Sequence, residues 1–391
     1  MTHNDVLISH PYALLAIMML IPVVFIGLEK KTGWKLFDIF PPIIWIFVAP
    51  IVMSSLNVIP NESPVYSNFK AFAVPLFIIL MLLDVDLRAT IKIAFRSMGV
   101  VILGSFGVVI GGMVAFFLLR NHLGPEAWRG FGALVGSWIG GTGNMAAVAE
   151  AVSTPPTLMG IVVLADTFIF ILYFPLLFAA KRWSKPFARF ARVTEEQSEN
   201  TYKAVNELKP KSKEVNYLNV LVLLGVGFLL IWIVERISGY LPVLPGIFTE
   251  KTWEILILTT SGLILATTRF RNVPGTSALS MALVYTYLSM IGAQADLAQA
   301  ATAPYFMLAG IICMIVHLLL VVLGARLFKV DVHMAAIASV AAIGGAASAP
   351  VVAAYHRKEL IPIAILLALV GYALGNYLGL AAAYGCRWMM M

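Results

Sequence analysis

The chain has 391 residues, 60% of them hydrophobic and only 12% charged, with a mean hydropathy of +0.91. A soluble domain carries about 25% charged residues, so the composition excludes one and points to an all-α polytopic membrane protein. The net charge of +7 comes from Lys and Arg gathered in loops, not from a nucleic-acid-binding face, and two cysteines exclude a disulfide framework.

Apolar runs that reach or approach the ~20 residues needed to cross a bilayer fall at 13–27, 39–54, 69–83, 98–119 and 157–180 in the first half. The first run is read as a membrane span and not as a cleavable signal peptide, because residues 1–10 hold no Lys or Arg and no small-residue cleavage site follows. Asp84-Val85-Asp86 opens an amphipathic stretch at 84–97 with Arg88, Lys92 and Arg96 on one flank. Acidic pairs that hold magnesium diphosphate are spaced by a helical turn; alternating aspartates fit an interfacial helix better. A polar stretch at 184–216 then reads as a linker. Further spans follow at 218–234, 253–267, 277–292, 304–327 and 360–384. His317 lies mid-span and is read as a packed, hydrogen-bonded histidine in preference to a proton relay. Cys313 and Cys386 read as inert small hydrophobes, and six scattered histidines show no metal-ligand spacing.

Two segments, 128–153 and 332–354, are broken by glycine pairs: Gly140-Gly141 and Gly344-Gly345, 204 positions apart. At that offset Ile139 matches Ile343, Val148 matches Val352 and Ala149 matches Ala353 without a gap. An interrupted membrane segment repeated in both halves is the signature of a transporter whose unwound tips bind solute at the repeat interface.

Basic residues decide whether these segments cross or dip and return, since cytoplasmic loops carry the excess of Lys and Arg. If both re-enter, with the termini outside, 21 of the 27 Lys and Arg fall on the cytoplasmic side; if both cross, the best arrangement puts 17 there. Re-entrance is therefore expected. Five spans and one re-entrant hairpin per half make an inverted repeat: residues 1–183, a cytoplasmic linker at 184–216, and residues 217–391.

At the first tip, Gly140, Gly141 and Gly143 permit reversal of the chain, while Thr142 and Asn144 supply a hydroxyl and an amide. With freed carbonyls these oxygens suit sodium, and the amides that start the returning half-helix favour an anionic group. In the second hairpin Ser348 takes the Asn144 position, and Pro350 is expected to begin the returning half-helix. Asp166 stands about ten residues into its span, where a carboxylate is costly unless paired, protonated or bound to a cation. A neighbouring hydroxyl such as Thr167 is one way to satisfy it. Glu150, near the end of the first hairpin, is a weaker candidate, and Asn376 offers an amide in the last span. The sodium shell is expected among Thr142, Asn144, Ser348 and Asp166.

Over essentially its whole length the chain resembles the YjcL-like family of uncharacterised integral membrane proteins. The likeness rests on Gly-Ser-Trp-Ile-Gly-Gly-Thr-Gly-Asn at 136–144 and Ala-Ile-Gly-Gly-Ala-Ala-Ser-Ala-Pro at 342–350. More distantly it resembles glutamate:sodium symporters and sodium-coupled 2-hydroxycarboxylate transporters, whose re-entrant loops carry a Gly-Gly-x-Gly tip. Gly140–Gly143 matches that tip; Ala347 replaces the last glycine of the second. The resemblance implies a homodimer with a static scaffold and a transport domain that moves like an elevator. Such carriers hold di- or tricarboxylates with arginine, and no Lys or Arg lies mid-span here. Arg357 and Lys358, just after the second hairpin, read as topology charges. A neutral, zwitterionic or singly charged solute fits better.

The expected function is secondary transport of a small organic solute coupled to sodium, in a plasma (inner) membrane, with no enzymatic activity and no cofactor beyond the ion. A proton-coupled exchanger that uses Asp166 is the alternative within that class. An intramembrane enzyme or a channel are the alternatives outside it.

Overall fold

A computed structural model describes residues 6–34, 36–37, 42–83, 87–194, 197–198, 202, 214–243, 249–295 and 302–390, with backbone alone at 87–93 and 346–347. The paired acids Asp84 and Asp86, and about half of the linker, including Glu195, Glu196 and Lys209–Lys213, lie outside the described residues. Among those described, every regular element is helical. Each apolar run forms a helix: α1 (Pro11–Thr32), α2 (Pro42–Ser55), α3 (Pro64–Leu83), α4 (Leu87–Leu119) and α6 (Pro156–Ala180) in the first half. The second half has α8 (Tyr217–Ser238), α9 (Glu250–Ala266), α10 (Thr276–Gln294), α11 (Ala303–Phe328) and α13 (Ile361–Trp388). The glycine-broken segments are α5 (Ala127–Ala151) and α12 (Val332–His356), and a short α7 (Ser184–Ala191) follows α6. Eight of the described helices are long and apolar enough to cross a membrane, so the chain is a multi-pass membrane protein.

Local chemistry sets the ends of these helices. Asn216 and Thr249 cap α8 and α9 by accepting from the amides of Asn219 and Thr252, and Asp331 caps α12 by accepting from His333 and Met334. α4 bends at Ala94 (φ −130°, ψ 30°), which separates residues 87–93 from the apolar run.

The helices form two groups. α1, α2 and α3 pack with α8, α9 and α10; α4, α5 and α6 pack with α11, α12 and α13. α1 and α8 are the most peripheral spans, presenting Leu20, Val23, Leu221 and Trp232 outward, as side chains facing lipid do. The second group encloses α5, whose residues are buried almost without exception.

Both broken helices double back. In α5 the Arg129 guanidinium donates to the Ser153 carbonyl at 2.6 Å, so the start of the segment touches the residues just past its end. In α12, His333 Nδ1 and His356 Nδ1 are 2.9 Å apart. Reversal occurs at Gly141 (φ 75°, ψ −169°) and Gly345 (φ 63°, ψ −162°), a region open essentially to glycine alone. The turn at Gly345 lies five residues before Pro350, so Pro350 sits inside the returning arm rather than at its start. The expected position was wrong because the glycine, not the proline, sets the turn.

The two hairpin mouths lie at opposite ends of the second group. α13 begins just after the α12 mouth and ends at the α5 mouth, where Arg387 stacks over Trp128 at 4.9 Å. α6 runs the other way, from the α5 mouth, where Leu158 meets Gly130, to the α12 mouth, where His356 Nε2 donates to the Leu177 carbonyl at 3.0 Å.

Candidate functional site

Between these two spanning helices the hairpin tips meet. A methyl group placed on Gly345 would lie 3.7 Å from the Gly141 Cα, and one on Gly141 would lie 3.9 Å from the Gly345 Cα. The tips share a local design. In each, the first glycine (Gly140 or Gly344) makes room for the side chain four residues on (Asn144 or Ser348), and the second adopts positive φ. Tyr372 of α13 lies against both positive-φ glycines.

Small residues allow this approach. Gly371, Gly375 and Gly379 lie on one face of α13, and Gly132, Gly136 and Gly140 on one face of the first α5 arm. A Cβ at Gly371 would run into the Ile139 carbonyl, and one at Gly379 would reach the Gly136 Cα at 3.1 Å. Helices packed this closely are held by dispersion between backbones. This four-residue spacing is legible in the sequence, but its pairing with a helix far away in the chain is not.

Asn144 is fully buried in the slot between Gly140 and Gly375. Its amide nitrogen donates to the Tyr372 carbonyl at 3.1 Å, while its Oδ1 has no hydrogen-bond partner. Asn376 is also fully buried; its nitrogen donates to Thr259 Oγ1 of α9 at 2.9 Å, and its Oδ1 is likewise unpartnered. A buried acceptor left unmade costs about 1–3 kcal/mol. Both oxygens are of the kind that a cation or a donor group satisfies.

Asp166 lies beside the first arm, one turn from its tip. Ser137 Oγ donates to Asp166 Oδ1 at 3.0 Å, and the Trp138 indole faces the same carboxyl without closing a hydrogen bond of ordinary geometry. Thr167, the neighbour considered from sequence, donates instead to the Val163 carbonyl at 3.0 Å, because a mid-helix threonine reaches back to its own helix more readily than sideways. One turn further along α6, Phe170 contacts Gly344, so α6 lines both tips.

Of the expected site residues, Gly140, Gly141, Gly143, Asn144, Gly344, Gly345 and Ser348 are thus brought to one place. Thr142 is half-buried at the start of the returning arm. Asp166 and Asn376 flank that place on α6 and α13. Glu150 stands apart, near the α5 mouth, where Lys70 of α3 pairs with it at 2.9 Å. That ion pair crosses between the two helix groups, as do the hydroxyl contacts of Thr260 with Tyr377 (2.8 Å) and Thr252 with Tyr384 (2.7 Å). Among the described residues no cluster of three His, Cys, Asp or Glu could hold a metal.

His317 is fully buried and engaged at both ring nitrogens: Nδ1 to the Gly104 carbonyl at 2.8 Å and Nε2 to Ser339 Oγ at 2.9 Å. A carbonyl only accepts, so Nδ1 carries the proton. In the neutral ring Ser339 therefore donates to Nε2, and the Tyr173 hydroxyl, 2.7 Å away, donates to Ser339.

A family model described as "Protein of unknown function (DUF819)" matches residues 16–389. The "Uncharacterized membrane protein YjcL" of Bacillus subtilis (strain 168) is 30% identical over 366 residues, covering 90% of this chain and 91% of that one. The chain belongs to the DUF819 family of polytopic membrane proteins.

Proposed function

We propose that this protein is a secondary transporter that moves a small organic solute across the membrane together with sodium, and that it is not an enzyme. The observation that carries the reading is the meeting of two glycine tips beside two buried amide oxygens without partners, Asn144 Oδ1 and Asn376 Oδ1. Non-helical backbone at membrane depth is tolerated where it is enclosed by protein or lines a polar cavity. Sodium would sit among Thr142, Asn144, Ser348, Asp166 and tip carbonyls, with Asn376 and the returning-arm amides turned to the solute. Desolvating the ion becomes favourable only when solute completes the site, which couples the two fluxes.

The opposed hairpins and the matched glycine geometry support an inverted repeat with boundaries at 1–183 and 217–391 and a cytoplasmic linker between. The two helix groups, which meet across a seam of polar contacts and of apolar packing such as Met81 on Gly143 and Phe47 on Gly160, support a scaffold and a sliding transport domain. With this go a homodimer, a plasma-membrane location, both termini outside, and the distant kinship to sodium symporters. Among the described residues no arginine or lysine reaches the tips, which favours a neutral, zwitterionic or singly charged solute.

The test is thermal stability of the purified protein in sodium or choline salt, screened against small metabolites. A ligand of the native state stabilises in proportion to the logarithm of its concentration. Sodium-dependent stabilisation lost in Asn144→Ala is expected. Uptake into proteoliposomes driven by a pH gradient without sodium would instead favour proton exchange at Asp166. That second reading is favoured by the buried Asp166 carboxyl, which among the described residues has the Ser137 hydroxyl and no cationic side chain as its partner. Flux that never saturates would favour a channel, and lipid turnover lost in Asp166→Asn an enzyme.

A further inference from the structure

A groove of about 370 Å³ opens between α6, α7, α11 and α12, at the level of the α12 mouth and away from the tips. Its volume falls in the range of ligand pockets, roughly 300–1,000 Å³. The walls are apolar, and the deepest polar group is Ser339, whose hydroxyl is already held by Tyr173 and His317. From Val332 at the mouth to Ser339 the α12 wall descends about 10 Å at 1.5 Å per residue. With the α12 mouth at the membrane surface, the groove would run from headgroup depth into the acyl region.

α7 forms its lid. Trp183, Pro186, Phe187 and Phe190 line the groove, at the spacing of one helical face, while Arg182, Lys185 and Arg189 fall on another. An apolar groove inside a bilayer gains little by exchanging one tail for another, because lipid tails are as apolar as its walls. Selective occupancy must come from the headgroup. At the groove's rim Arg326 is exposed, donates one N–H to the Phe190 carbonyl at 2.9 Å, and stacks over the Phe190 ring at 5.0 Å. Its guanidinium is oriented by those contacts and keeps further donors for a phosphate. A chain segment is a poorer occupant: residues 203–213 read Lys-Ala-Val-Asn-Glu-Leu-Lys-Pro-Lys-Ser-Lys, with four lysines and a glutamate in eleven positions.

We propose that this groove is a binding site for an anionic phospholipid, one acyl chain lying along α12 and the phosphate held by Arg326 with the basic face of α7. The first arm of α12 is one wall, so the occupant packs directly against the hairpin that carries Gly344 and Gly345. The proposal is independent of what the tips transport.

Trp183 reports on it. Phosphatidylglycerol brominated along its acyl chains is titrated into the detergent-purified full chain, and quenching is compared with that of Trp183→Phe. The expected result is a saturable Trp183-dependent component, displaced by plain phosphatidylglycerol and not by phosphatidylcholine, that needs several-fold more lipid in Arg326→Gln and vanishes in Ala336→Phe. Quenching that is unsaturable, equal with brominated phosphatidylcholine, or unchanged in Arg326→Gln would overturn it. If Ala336→Phe fails to fold, the competition between the two lipids on the unaltered chain decides alone.

Discussion

The Asn144 carboxamide fills the space that a side chain at position 375 would need, so the first hairpin and the last helix interlock through an absent Cβ. Gly375→Ala is therefore expected to displace Asn144 and to cost about 1–3 kcal/mol, the usual price of overpacking a core. Asn144→Ala in the same chain removes the obstacle. A double-mutant cycle on thermal stability should return a favourable coupling between the two changes; strict additivity would mean that the two positions do not touch.

The positive-φ glycines make a graded pair. Around Gly141 a methyl group meets nothing nearer than Tyr372 Cε1 at 3.8 Å, whereas at Gly345 the same ring carbon is 3.0 Å away. Gly141→Ala should destabilise by backbone strain alone, about 1–3 kcal/mol, and Gly345→Ala by more. Chemical denaturation of the purified variants tests the order. Equal costs, or Gly141→Ala the worse, would contradict this geometry.

Asp166→Asn keeps an oxygen for the Ser137 hydroxyl and removes the charge. The variant should remain folded, with unfolding within about 1 kcal/mol of the parent, as expected when the hydrogen bond survives, while losing sodium-dependent stabilisation. Ser137→Ala strips the carboxyl of its donor and should destabilise more than Asp166→Asn. Retention of the full sodium effect in Asp166→Asn would remove that carboxyl from the ion site.

The histidines at the α12 mouth give a pH signature. His356 Nε2 faces the Leu177 carbonyl and must donate, so its Nδ1 accepts from His333 when both rings are neutral. Burial lowers both from the ordinary imidazole range; Lys181 and Arg357 push His333 the same way, Lys181 does so for His356, and Asp331 opposes them at each ring. Because the folded values lie below the unfolded one, near 6.5, the clasp is intact above that pH and weakens as pH falls through the lowered values. Amide protection at 353–357, taken relative to the intrinsic exchange rate at each pH, should fall on moving from about pH 8 to about pH 5, and His333→Phe should abolish the step. Protection that is flat with pH would show that the clasp does not titrate.

Much of this could be read from residues alone, for reasons that differ by feature. The spans are legible because a bilayer forces runs of apolar side chains on any helix that crosses it. The tips are legible because positive φ beside ψ near 180° selects glycine, so Gly141 and Gly345 could not be hidden. What escaped was whatever depends on distant partners. Ser137 as the neighbour of Asp166, Tyr372 beneath both tips and Thr259 against Asn376 are contacts between helices far apart in the chain, and nothing in the local pattern ranks them. Pro350 was misplaced because a proline tolerated near a helix start gives no register by itself.

The antiparallel run of α6 and α13 from one mouth to the other has a mechanical consequence. The α12 mouth is fastened to the end of α6 through His356 and Leu177, and the α5 mouth to the end of α13 through Trp128 and Arg387. A binder that grips the chain near Trp128 would thus be coupled by stiff rods to the clasp of His333 and His356 at the other end of the helix group, and pulling on one end would be felt at the other.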